Sequence, residues 1–127
     1  MSEDLEMQKR KLRARKTLEE VSKMRGMGTE LVTVIIPPEK MLHDVRHHLI
    51  QEGGQAANIK SKGTRKHVTD AIESAVSTLG RYKTPGERGI ALFVGHVITG
   101  NNKTRLISVV VDDPPEAFPS FRYRCDS

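Results

Sequence analysis

Gln55-Ala56-Ala57-Asn58-Ile59-Lys60-Ser61-Lys62 lies between two strongly amphipathic helical patterns, with Gly53 and Gly54 before it and Gly63 after it. Glycines on both sides of a short polar stretch punctuate regular structure. Neither a helix nor a strand is expected to continue through it, and it reads as the tip of a helical hairpin. The tip carries an amide (Asn58), an ammonium (Lys60), a hydroxyl (Ser61) and an exposed-looking Ile59. That set can hydrogen-bond a base edge, hold a phosphate and touch an apolar face. The plain alternative is a basic hairpin loop with no ligand.

The helices on either side set the frame. The first is expected over residues 39–52, with Met41, Leu42, Val45, His48 and Leu49 on one stripe. Glu52 falls in line with that stripe, where a carboxylate at a helix C-terminus is opposed by the dipole and disfavoured by burial. It is either a solvated helix end or a group with a donor to bind. The second helix starts near Ser61 or Thr64 and runs to Gly80, with Val68, Ala71, Ile72, Ala75, Val76 and Leu79 as its stripe. Thr64 is the preferred N-cap. Lys60, Lys62, Arg65 and Lys66 gather at this N-terminus. Cations there oppose the helix dipole unless an anion is bound, and a local conflict of this kind marks a functional site.

Outward from the hairpin the chain is simple. Residues 3–25 read as a helix with a poor apolar stripe and Lys or Arg all round it, a solvated helix rather than a docking face. Leu31 to Ile36 is a continuous apolar run closed by Pro37-Pro38, the pattern of a buried central strand. Ile90 to Thr99 reads as a strand broken at Gly95. A hairpin loop at 100–103 and a strand at 105–111 follow. Ser120 to Cys125 alternates as a short last strand with Phe121, Tyr123 and Cys125 on one face. Helices and strands in this order give an α/β fold, a two-layer α/β sandwich with a roughly four-stranded sheet and a projecting helical hairpin.

Size and composition agree. The 127 residues suit one domain, and 36% hydrophobic with 29% charged residues excludes a disordered chain. A net charge of +5 and a pI near 9.6 favour a polyanion partner, nucleic acid first. The single cysteine, Cys125, excludes an internal disulfide, and no apolar run reaches membrane-spanning length, so a cytoplasmic location and no membrane partner are expected. Two Tyr, three Phe and no Trp are too few for a broad base-stacking platform.

Asn58-Ile59-Lys60-Ser61 is the NIKS tetrapeptide of the class I peptide-chain release factors of archaea and eukaryotes. Two further stretches fall at matching places. Gly28 and Thr29 match the first two residues of the family's G-T-S motif, with Glu30 in place of the serine. Tyr123-Arg124-Cys125 matches the start of its Y-x-C-x-x-x-F motif, and the chain stops at Ser127 before the Phe. Along nearly its whole length the chain resembles the N-terminal, stop-codon-reading domain of that family, closer to the archaeal members. The resemblance implies a domain of a longer multi-domain factor that binds and does not catalyse, with no cofactor. It implies that Asn58, Ile59, Lys60 and Ser61 contact the first stop-codon base. Glu52, Tyr123 and Cys125 would shape the pocket for the following purines, with Gly28 and Thr29 helping at the third. The implied partners are the messenger stop codon, small-subunit ribosomal RNA and the ribosome, with a GTPase of the elongation-factor family engaged through other domains.

Several motifs are set aside. Gly53-Gly54-Gln55 spells GGQ, the hydrolytic signature of such factors, but the family carries it on a different domain. Here the glycines are assigned to the turn. His43 and His47 are spaced i, i+4 without a third ligand, so no metal site is expected. Cys125 lies beside no identifiable base, which excludes a nucleophile role. The alternatives are a generic ribosomal or RNA-binding module, a Pelota-like ribosome-rescue domain, and a small acyl hydrolase using the displaced GGQ.

Overall fold

The computed structural model describes residues 2–26, 30–99 and 103–126. Helix α1 (Ser2–Gly26) leads into strand β1 (Leu31–Ile36). Helices α2 (Leu42–Ala56) and α3 (Lys62–Leu79) form the hairpin. Strands β2 (Ile90–Thr99), β3 (Lys103–Val111) and β4 (Arg122–Asp126) complete the chain. The sheet is antiparallel throughout, in the order β3-β2-β1-β4. β1 is thus central, as its uninterrupted apolar run predicts. Ile36 pairs with Ile90 and Leu31 with Gly95 on one side, and Val34 pairs with Tyr123 and Val32 with Cys125 on the other.

The two faces of the sheet differ because strand side chains alternate. Val32, Val34, Ile36, Ile90, Leu92 and Val94 meet Leu42, Val45, Leu49, Val68, Ile72 and Leu79 of the hairpin in one buried cluster. Fully burying such side chains is worth about 1.5–3 kcal/mol each, which makes this layer the main source of stability. On the opposite face Val21 of α1 covers Leu31 and Val97 in a smaller cluster. Leu5, Leu12 and Leu18 of α1 remain largely exposed, as its poor stripe predicts. Its cations are not all solvated, however. Arg10 Nε and Arg13 donate to Asp113 at 3.0 and 3.1 Å, and Arg88 donates to the same carboxylate. The hydrogen bond from Arg88, and after it that from Arg10, hold Asp113 below its ordinary carboxylate value.

Five expectations need correction. α2 begins at Leu42 rather than Glu39, because residues 37–40 form a turn in which Lys40 N–H donates to the Pro37 carbonyl at 3.2 Å. Met41 is an extended N-cap without a side-chain bond, not a stripe residue. At its other end α2 runs straight through Gly53 and Gly54 to Ala56. Ala56 is buried, and that burial favours a further turn of helix over the intrinsic preference of glycine. The hairpin turn is therefore residues 57–61. The N-cap of α3 is Ser61, not Thr64: Ser61 Oγ accepts from Thr64 N–H at 3.3 Å. Lastly, β2 is unbroken at Gly95. A side chain there would meet the Glu30 carbonyl at 2.5 Å, so the glycine serves close approach of β1 and not a break.

The helical placement of Gly54 gives the first expectation for experiment. A methyl group at Gly54 would have nothing within 4 Å. Gly54→Ala should therefore stabilise the fold by about 0.5–1 kcal/mol through helix propensity. A urea titration by circular dichroism checks this, and a loss of stability would return Gly54 to a turn.

Candidate functional site

The α2–α3 tip is built by alternation. Ala57 closes α2, with its N–H donating to the Gly53 carbonyl at 3.3 Å. Asn58 and Ile59 N–H groups then donate to the Gln55 and Ala56 carbonyls at 3.0 and 3.1 Å, tightening the last turn. Ile59 turns inward and packs half-buried against the main core. This corrects its reading as exposed: its apolar side chain anchors the tip. Ser61 is held by its cap to Thr64. Its oxygen accepts there, and its hydroxyl hydrogen stays available to donate. Asn58 and Lys60 are left exposed between these two fixed residues. Two of the four tetrapeptide residues thus build the tip, and two are presented by it.

The cations around the tip divide in the same way. Arg65 donates to the Ile59 carbonyl at 3.3 Å and so belongs to the scaffold. Lys60, Lys62 and Lys66 are exposed, and among the described residues none of them has a carboxylate partner. The first turn of α3 holds no acidic side chain. The positive end of the helix dipole is thus reinforced by ammonium groups, an arrangement that favours an anion such as phosphate.

Glu52, Tyr123 and Cys125 come together although 71 residues separate the first two (123 − 52). β4 pairs with β1 so that Tyr123 and Cys125 share the face turned to the hairpin. His48, one turn before Glu52, lies 3.6 Å from it and packs edge-on against Phe121 and Tyr123, with ring centroids 5.6 and 5.7 Å away. Burial pushes the Tyr123 hydroxyl up, and its neighbours Cys125 and Glu52 push it further. Tyr123 is therefore a neutral donor at physiological pH. Burial likewise raises the Cys125 thiol, with Asp126 adding to it, which keeps it a thiol and unsuited to nucleophilic attack. Glu52 is half-buried but does not end the helix, since α2 continues to Ala56. The dipole argument for its special status accordingly weakens, and its setting beside Tyr123 replaces it.

Gly28 and Thr29 lie outside the described residues. Their neighbour Glu30 is described, and it was legible only as a departure from the family pattern. Its Oε2 lies 3.0 Å from His67 Nδ1 on α3. Burial would raise the Glu30 carboxyl. Its own backbone N–H, His67 and Thr64 favour the anion more strongly, and the net result lies below the ordinary value. His67 in turn stacks on His96 of β2, centroids 4.2 Å apart and planes 23° from parallel. Sequence reasoning missed both histidines, because a pairing across 37 residues leaves no periodic signal. His43 and His47 stand exposed on α2, and among the described residues no three metal-ligating side chains are grouped to hold an ion. No helix among the described residues is long and apolar enough to cross a membrane.

Comparison with known proteins places this arrangement. The family described as eRF1 domain 1 matches residues 9–127. A peptide chain release factor subunit 1 from Picrophilus torridus is 45% identical over 113 residues, covering 89% of this chain and 27% of the relative. The protein of the same name from Methanosphaera stadtmanae is 46% identical over 113 residues, covering 89% and 28%. The crystal structure of an archaeal translation termination factor, aRF1, superposes with a TM-score of 0.70 at 30% identity, covering 88% of this chain and 30% of that one. The chain spans little more than a quarter of the length of these curated relatives. With the profile matched from α1 to β4 and the hairpin-on-sheet architecture shared with aRF1, the chain belongs to the eRF1 domain 1 family.

Proposed function

We propose that this chain is the stop-codon-reading domain of a class I peptide chain release factor and acts in translation termination. The observation that carries the reading is the tip: Ile59 and Ser61 fix it, and Asn58 and Lys60 are presented from it among unpaired lysines. Lys60 donates to uridine oxygens, and Asn58 offers both a donor and an acceptor to a base edge. Glu52 accepts from purine exocyclic amines, and Tyr123, kept neutral, donates beside it. The exposed lysines track phosphates of messenger or small-subunit ribosomal RNA. The partners are then the ribosome with a stop codon in its A site, and a GTPase of the elongation-factor family through other domains. The setting is cytoplasmic. The chain binds and does not catalyse: Gly53-Gly54-Gln55 is enclosed in α2, and Cys125 is held as a thiol.

The test uses a release factor in which this chain replaces the matching quarter of a relative, assayed for peptide release on UAA, UAG, UGA and UGG. The chimera should release on stop codons and not on UGG, whereas the chain alone should release nothing. Glu52→Gln should alter the ranking among the three stops. Equal losses on every stop would remove Glu52 from the codon pocket, and release by the isolated chain would restore the hydrolase reading.

A further inference from the structure

Between Ala56 and Val68 no described side chain is fully buried, so the apolar core holds the first two turns of α3 only at their far end, through Val68, with Ile59 half-buried at the tip. What else crosses from these turns to the sheet is polar. His67 Nδ1 meets Glu30 Oε2 at 3.0 Å, one helical turn after Thr64, whose N–H caps onto Ser61. Glu30 is itself immobilised. It immediately precedes Leu31, whose backbone pairs with Asp126 of β4 and Gly95 of β2, and its carbonyl is packed against Gly95. Behind His67 stands the ring of His96, 8% exposed, with Nδ1 buried and unpartnered and Nε2 3.9 Å from Asp70. An unsatisfied buried imidazole nitrogen is unfavourable for stability alone. The His96 ring is stacked on that of His67, which limits the planes His67 can take.

We propose that His67 is a positioning residue for codon recognition: by clasping Glu30 it holds the Asn58–Lys60 tip in a fixed place relative to Tyr123 and Cys125 on β4. The inference rests on the stop-codon reading above. Glu30 is the natural anchor, because it stands where the hairpin, β1 and β4 meet, near enough to Cys125 for its charge to act on the thiol. Its Oε2 is engaged by His67 at 3.0 Å, so it acts as a clasp and not as a base contact. A clasp governs all three stop codons together, since it sets the distance between the group that reads the first base and those that read the purines. A direct reader of the purine positions would discriminate among them.

The chimeric factor described above tests this, at a temperature where thermal melts show every variant folded. His67→Ala should lower release efficiency on UAA, UAG and UGA alike, by about 10- to 100-fold, as misplacement of a recognition group does. His67→Asn, whose Nδ2 can stand in for Nδ1, should recover most of the loss. Glu30→Ala should cost as much as His67→Ala, and the double variant no more than either, because the two act as one unit. A folded His67→Ala factor releasing within about twofold of the unsubstituted one would overturn the inference, as would additive losses. Failure of the unsubstituted chimera to prefer stop codons over UGG would instead overturn the functional reading beneath it.

Discussion

Lys60→Ala in the chimeric factor should lower release about 10- to 100-fold on all three stop codons, the equivalent of one lost charge-assisted hydrogen bond of about 1.5–3 kcal/mol. The structure explains why the effect should be confined to recognition. Lys60 is exposed, and its neighbours Ile59 and Ser61, not Lys60 itself, hold the tip in shape. Removing its ammonium also relieves repulsion with Lys62 and Lys66 at the positive end of α3, so the fold should not lose stability. Part of the loss arises from phosphate attraction, and that part should shrink as salt is raised. The uridine contact should persist. Release measured at two ionic strengths separates the two parts, and circular dichroism confirms folding. A loss that vanishes entirely at high salt would make Lys60 a phosphate contact only.

The largest effect on stability is expected at Gly89. Its φ is +93°, a conformation that side chains rarely adopt, and a methyl group there would lie 2.3 Å from the Ile36 carbonyl oxygen and 3.1 Å from Phe118. Strain at positive φ costs about 1–3 kcal/mol and overpacking a further 1–3, so Gly89→Ala should destabilise by roughly 2–6 kcal/mol. That is a large share of the stability of about 5–15 kcal/mol usual for a domain. Adjustment is hard on both sides. Ile36 is paired with Ile90, the next residue, and Phe118 N–H is tied to the Arg88 carbonyl at 3.0 Å. Chemical denaturation of the 127-residue chain measures the loss. A change under about 1 kcal/mol would show that the backbone at Gly89 relaxes to an ordinary conformation.

The contrast between Gly89 and Gly54 shows where a sequence can be read and where it cannot. Strong apolar periodicity made α3, β1 and the shared face of Phe121, Tyr123 and Cys125 legible, because burial of those side chains is the dominant force on their conformation. The glycines were legible only as a type. Gly53 lies in a helix with Ile72 at 3.5 Å from its implied Cβ, a matter of packing between two helices that local propensity does not encode. Ile59 was misplaced for the same reason: four residues are too few to show a period, and only the folded core reveals which way each points. Charged pairs are the least legible. His67 finds Glu30 across 37 residues, and Arg10 finds Asp113 across 103, with nothing in either neighbourhood to announce the partner.

The attachment of α1 through Asp113 divides the domain into parts of unlike cohesion. The hairpin is fastened to the sheet by apolar burial, which salt does not screen. Beyond the small patch at Val21, α1 is fastened by two guanidinium groups, Arg10 and Arg13, on one partly exposed carboxylate that Arg88 also holds. Attraction of that kind is weakened by mobile ions. It also depends on the proton. Asp113 is depressed below its ordinary value of 3.8, so its contribution is whole above that pH and is lost as pH falls through the lower folded value. Raised salt and acid are accordingly expected to loosen the first helix before the hairpin and sheet, an order that amide hydrogen exchange along the chain would read.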